Sequence, residues 1–98
     1  MAVIRWTAEA ERWLRDIRDY ISQDNPSAAQ KVVEDIYEYI QKLQMAPEIG
    51  YKYRDDIDGE IRVLLYGHYR IAYLLREPDF VEILGIFHGA LDIKRYLH

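Results

Sequence analysis

The sequence predicts an α+β domain in which a two-helix hairpin packs on an antiparallel sheet. Three observations carry this. Residues 10–43 place apolar side chains at helical spacing, residues 59–89 hold three β-rich runs parted by two short turns, and no Pro- or Gly-rich linker divides the two regions. At 98 residues, with 50% hydrophobic and 13% aromatic composition, the chain can bury one core and is too apolar to stay disordered. Residues 1–98 are therefore read as a single domain.

In chain order, Ala2-Val3-Ile4-Arg5-Trp6 is a short β-prone run, and Thr7 after it is an N-cap for the first helix. Glu9 and Glu11 fall in the first turn, where the helix dipole favours negative charge. Trp13, Leu14, Ile17, Tyr20 and Ile21 make the buried face, and Glu11, Arg12, Arg15, Asp16, Arg18 and Asp19 make a solvated, ion-paired one. Asp24-Asn25-Pro26 closes this helix and opens the next, with Asn25 as N-cap and Pro26 where a missing N–H costs nothing. The second helix carries Ala29, Val32, Val33, Ile36, Ile40 and Leu43 on one stripe and stops at Met45-Ala46-Pro47. Tyr37 and Tyr39 border that stripe as core-edge residues.

Glu48 to Asp58 reads as an irregular connection lying over the sheet. The strands that follow are Glu60–Tyr66, Tyr69–Arg76 and Phe80–Phe87, separated by Gly67-His68 and Glu77-Pro78-Asp79. Connections this short impose antiparallel pairing, because a parallel crossover needs about a dozen residues. A short tail or helix ends the chain.

The composition excludes several chemistries. Without cysteine there is no disulfide, thiolate catalysis or cysteine-bound zinc, and no apolar run reaches the roughly 20 residues that span a bilayer. No signal peptide is apparent, so a cytoplasmic protein that does not engage membranes is expected. The net charge of −4 comes from residues 9–48, which hold nine acids and five bases. Tyr51-Lys52-Tyr53-Arg54 interleaves aromatic and basic residues as nucleic-acid sites do, but Asp55, Asp56 and Asp58 cancel the charge, and the chain alone is not expected to bind DNA. His68, His88 and His98 show no spacing that puts two on one face as metal ligands. There is no phosphate loop and no nucleophile elbow, so neither a metal nor a cofactor is expected. Arg62 and Arg70 are strand arginines that would pair across strands with carboxylates such as Glu60 or Glu82.

The order of elements, together with Pro47-Glu48-Ile49-Gly50, Tyr69-Arg70-Ile71-Ala72-Tyr73 and Ile83-Leu84-Gly85-Ile86-Phe87-His88-Gly89-Ala90, resembles the RelE/ParE superfamily of bacterial type II toxins over nearly the whole chain. The hydrophobic strand running into His-Gly-Ala and a short polar tail is similar to the ParE branch. The resemblance implies a helical hairpin on one face of a twisted sheet that the N-terminal strand joins. It further implies a plasmid-stabilisation toxin that inhibits DNA gyrase by protein binding, is silenced by a cognate antitoxin, and forms a homodimer or a toxin–antitoxin hetero-oligomer. On this reading the tail binds the target through His88, Lys94, Arg95 and Tyr96.

Two alternatives stand beside it. A RelE-like, ribosome-dependent mRNA endoribonuclease, with the ribosome and mRNA as partners, would rely on Lys52, Arg54, Arg62 and Tyr96. Against it, Leu65 and Ala90 stand where the resemblance implies strand and tail arginines, and phosphate chemistry needs such cations. A degenerate member would bind antitoxin without toxicity, because Leu91 replaces the arginine that commonly follows His-Gly-Ala in the ParE branch.

Overall fold

The computed structural model describes residues 1–89, 91 and 93–97; the positions Ala90, Asp92 and His98 lie outside the described residues. β1 (Val3–Trp6) leads into α1 (Ala8–Ser22), whose cap does two jobs. The Thr7 hydroxyl accepts from the Ala10 N–H at 3.0 Å and donates to the Ile83 carbonyl at 2.8 Å, so one side chain caps the helix and ties it to the sheet. α2 (Pro26–Ile40) starts as its sequence requires, with the Asn25 side chain accepting from the Ala28 N–H at 3.1 Å. It ends earlier than the Met45-Ala46-Pro47 stop, tightening at Ile40 into a 3-10 turn over Gln41–Gln44 that still buries Leu43.

Four strands follow: β2 (Tyr51–Asp56), β3 (Gly59–Tyr66), β4 (Tyr69–Arg76) and β5 (Phe80–His88). The sheet order is β1-β5-β4-β3-β2. β1 runs parallel to β5 while the remaining pairs are antiparallel, so the sheet is mixed. The long excursion through both helices is what permits the parallel pairing. The irregular connection expected over 48–58 is corrected here, because most of it is β2. Its alternation of tyrosines with charged residues suits a half-solvated edge strand, and the acids that read as loop sit at its end. Gly59, at φ 152°, completes the turn into β3, where a Cβ would fall 2.1 Å from the Leu75 carbonyl oxygen.

The sheet buries both faces. Against the helices lie Leu64, Ile71, Tyr73, Val81, Ile83 and Ile86, packed with Ala10, Ile36, Ile40 and Leu43. On the other face, Ile61, Val63, Ala72, Leu74 and Phe87 are covered by Ile93 and Leu97 of the tail. A register slip opposite Ala72 and Tyr73 leaves Leu84 unpaired in β5, which lets Ile83 and Ile86, three positions apart, both face the helices.

Two details of the expected helix surface change. Tyr20, placed on the buried face of α1 by spacing, is 75% exposed, near the end of α1. On the polar face the structure pairs Arg18 with its neighbour Asp19 at 3.2 Å, an exposed contact that adds little stability.

Candidate functional site

Two features converge at one end of the sheet: the tail that leaves β5, and a groove between it and α1. Beyond His88 the chain folds back over the second face in a single 3-10 turn, Ile93–Arg95, rather than a full helix. Burying Ile93 and Leu97 anchors it, which turns Lys94 and Arg95 outward. Tyr96, 40% exposed, stacks on Phe87 at 5.4 Å and meets the Trp13 ring edge-on at 5.0 Å. Trp13 also stands edge-on to Phe87 at 4.8 Å and packs against both core clusters, so this one residue of α1 couples the helix layer to the tail.

The groove has a volume of about 570 Å³ and is walled by Ile17, Tyr20, Ile21, Tyr69, His88 and Leu91, among others. Its lining is apolar except for Asp16 on the helix side and His88 on the tail side. A partner fitting it needs an apolar stripe and a group able to meet a carboxylate.

The four residues of the nuclease alternative do not gather at one point. Arg62 lies opposite Tyr73, and Lys52 lies opposite Arg62, which assigns both to the helix-side face; Arg54 lies opposite Ile61 on the tail side, where its Nη1 donates to the Leu97 carbonyl at 3.5 Å. Their charges are also committed. Lys52 meets Asp55 at 2.6 Å and Glu60 at 3.6 Å, and the hydrogen bond to Asp55, outweighing desolvation, raises its pKa. Arg62 donates to Glu60 at 3.1 Å and to the carbonyls of Glu48 at 3.0 Å and Gly50 at 2.7 Å. Its carboxylate partner is thus on its own strand and not across the sheet. Arg70 departs further from expectation, donating to the Leu91 carbonyl of the tail, while Glu82 is taken by Arg76 at 3.4 Å.

The same region explains the segment Pro47-Glu48-Ile49-Gly50. The Tyr73 hydroxyl, at the end of a fully buried side chain, donates to the Pro47 carbonyl at 2.6 Å and accepts from the Gly50 N–H at 3.0 Å. At Gly50 a Cβ would stand 2.8 Å from both the Tyr73 hydroxyl and the Val63 carbonyl oxygen, so only glycine allows the approach. Burial pushes the Tyr73 phenol above its usual pKa, with the Gly50 N–H and Arg62 pulling the other way; burial alone raises that of Tyr69.

One juxtaposition escaped the sequence. His68, in the β3–β4 turn, and His88, at the end of β5, bring their rings within 6.3 Å. The β4–β5 pairing is expected from the short turn, but its register, which sets Tyr69 opposite His88, is what brings the two histidines together. Among the described residues, no three His, Cys, Asp or Glu side chains cluster as metal ligands, and no helix is long and apolar enough to cross a membrane.

With the geometry in hand, three comparisons bear on the chain. Residues 4–93 match the family model described as the ParE toxin of type II toxin–antitoxin systems, parDE. A protein of Sinorhizobium fredii (strain NBRC 101917 / NGR234) named "Putative toxin Y4kP" is 38% identical over 86 residues, covering 88% of this chain and 86% of that protein. Among solved structures, the chain is similar to one from the chromosomal ParDE toxin–antitoxin system of P. aeruginosa, with a TM-score of 0.72 and 26% identity over 90% of this chain and 96% of the other. It is also similar to a chain of the RelBE2 toxin–antitoxin complex of Mycobacterium tuberculosis, with a TM-score of 0.60 and 25% identity over 89% and 96%.

Proposed function

The chain belongs to the ParE family of toxins of type II toxin–antitoxin systems, and on that premise we propose that it inhibits DNA gyrase through its tail and is silenced by a cognate antitoxin seated in the α1 groove. The observation that carries this reading is that groove and tail share residues: His88 and Leu91 wall the groove and begin the segment that presents Lys94 and Arg95. An antitoxin segment lying against α1 therefore touches the base of the tail. Such segments order on binding and need an apolar surface of this kind to offset the entropy lost. Leu91 fits the reading as groove wall, which gives an apolar residue at that position a role in partner binding.

The test is a supercoiling assay with purified gyrase and excess toxin. Inhibition is expected, with relief on adding antitoxin, and full gyrase activity together with normal growth on expression would leave only the degenerate, antitoxin-binding reading. Cleavage of mRNA on programmed ribosomes would favour the nuclease instead. Within this assay, Lys94→Glu with Arg95→Glu should abolish gyrase inhibition while lowering the melting temperature by only a few degrees, because both side chains are exposed. Gyrase inhibition that survives the double reversal removes the tail from the mechanism.

Tyr20→Ala separates the second surface. Exposed on the groove wall, Tyr20 can be truncated without loss of core packing, and affinity for the antitoxin should drop about tenfold or more, as for an aromatic anchor. Calorimetric titration with the cognate antitoxin reads this directly, and unchanged affinity moves the docking site elsewhere.

A further inference from the structure

We propose that Arg70 is the positioning residue of the tail: its guanidinium clamps the Leu91 carbonyl and fixes the direction in which the chain leaves β5, so that Lys94 and Arg95 are held where the target meets them. The part that concerns the target rests on the toxin reading above. Arg70 lies opposite Leu65 in β3 and Phe87 in β5, on the face that the tail covers. A leucine would suit that position without the cost of partly desolvating a charge. Two other strand arginines have carboxylates to offset this cost: Arg62 meets Glu60, and Arg76 meets Asp58 and Glu82. Among the described residues Arg70 meets no carboxylate, and its buried Nε has no hydrogen-bond partner. What it does reach is the Leu91 carbonyl, 21 positions along the chain.

Leu91 is thereby gripped through both of its backbone polar groups. Its N–H donates to the His88 carbonyl at 2.9 Å, which ties it only to the strand end that the chain has just left. Its carbonyl accepts from Arg70, which ties it to β4 and so sets the heading of the turn relative to the sheet. Further on, Ile93 and Leu97 are buried, with Lys94 and Arg95 exposed between them. Apolar burial is non-directional, whereas a charge-assisted hydrogen bond fixes a distance and an angle. Ile93 and Leu97 therefore hold the tail down, and Arg70 decides how it is aimed. The Leu91 side chain also walls the α1 groove, so the clamp sits where groove and tail meet.

Amide hydrogen exchange on the full chain tests the clamp without gyrase or antitoxin. Arg70→Leu removes the donors and keeps an apolar side chain on that face. The amides of Leu91, Tyr96 and Leu97, which donate to the His88 and Ile93 carbonyls, should then exchange about tenfold or more faster than in wild type, while amides in the middle of β4 and β5 do not speed up. Arg70→Lys keeps a charged donor and should restore at least half of the lost protection. In the supercoiling assay, Arg70→Leu should need about tenfold more toxin for half inhibition, because the target must then order the tail itself. The proposal is overturned if the tail amides keep wild-type rates, or if they speed up only in step with those of β4 and β5. It is equally overturned if Arg70→Lys protects no better than Arg70→Leu, or if Arg70→Leu inhibits gyrase at the wild-type concentration. Wild-type toxin that leaves gyrase fully active while the exchange difference persists refutes the gyrase reading and supports the clamp, so the two failures are told apart.

Discussion

Tyr73→Phe should lower stability by about 2 kcal/mol and the melting temperature by about 8–16 °C, the range expected for a domain of this size. The ring stays, so no cavity opens. What is lost is the hydroxyl that gives a proton to the Pro47 carbonyl and receives one from the Gly50 N–H, and both backbone groups are left without that partner where solvent is scarce. The denaturant slope should not change, because the surface exposed on unfolding is the same. A second signature comes from pH. Burial raises the Tyr73 pKa in the folded chain, so its contribution is complete below the unfolded value of about 10 and declines as pH climbs from there through the folded value. The gap between wild type and variant should therefore be flat to about pH 10 and narrow above it. A loss under half a kcal/mol would mean that water replaces the hydroxyl and that the 47–50 turn is anchored by Arg62 alone.

Trp13→Ala should cost about 3 kcal/mol, at the lower end of large aromatic truncations because the side chain is partly exposed. Its consequence extends beyond stability. Trp13 meets both Phe87 and Tyr96 edge-on, and it walls the groove, so its removal unseats the tail and reshapes the partner surface together. Trypsin should then cleave after Lys94 and Arg95 faster than global unfolding allows, since the segment opens locally. Trp13→Phe keeps an aromatic edge and should recover most of the protection. If the tail of Trp13→Ala resists trypsin as wild type does, Ile93 and Leu97 hold it without help from α1.

These two residues also mark the boundary of what residue patterns disclose. The caps at Thr7 and Asn25, the helical stripes and the Gly67-His68 turn are local: the groups that satisfy each other lie within a few residues, and their chemistry is written in adjacent letters. The assignment of 48–58 as loop failed because the alternation of Tyr51-Lys52-Tyr53-Arg54 is short, buries little and runs directly into acids that also suit a turn. Tyr20 failed for the opposite reason, since its spacing is right for a buried face and only the packing of the whole fold decides which positions of that stripe are covered.

By itself, then, the sequence determined the α+β class, the order and most boundaries of its elements, and a family resemblance that the ParE family model matches over residues 4–93. Tertiary structure alone decided which distant residues meet: Tyr73 with Pro47 and Gly50, Trp13 with the tail, His68 with His88, and the assignment of Arg54 and Arg62 to opposite faces. The physical reason is register. Side chains alternate along a strand, so a slip of one residue, such as the one beside Leu84, reverses every face beyond it, and that slip is set by packing across the sheet and not by spacing along the chain.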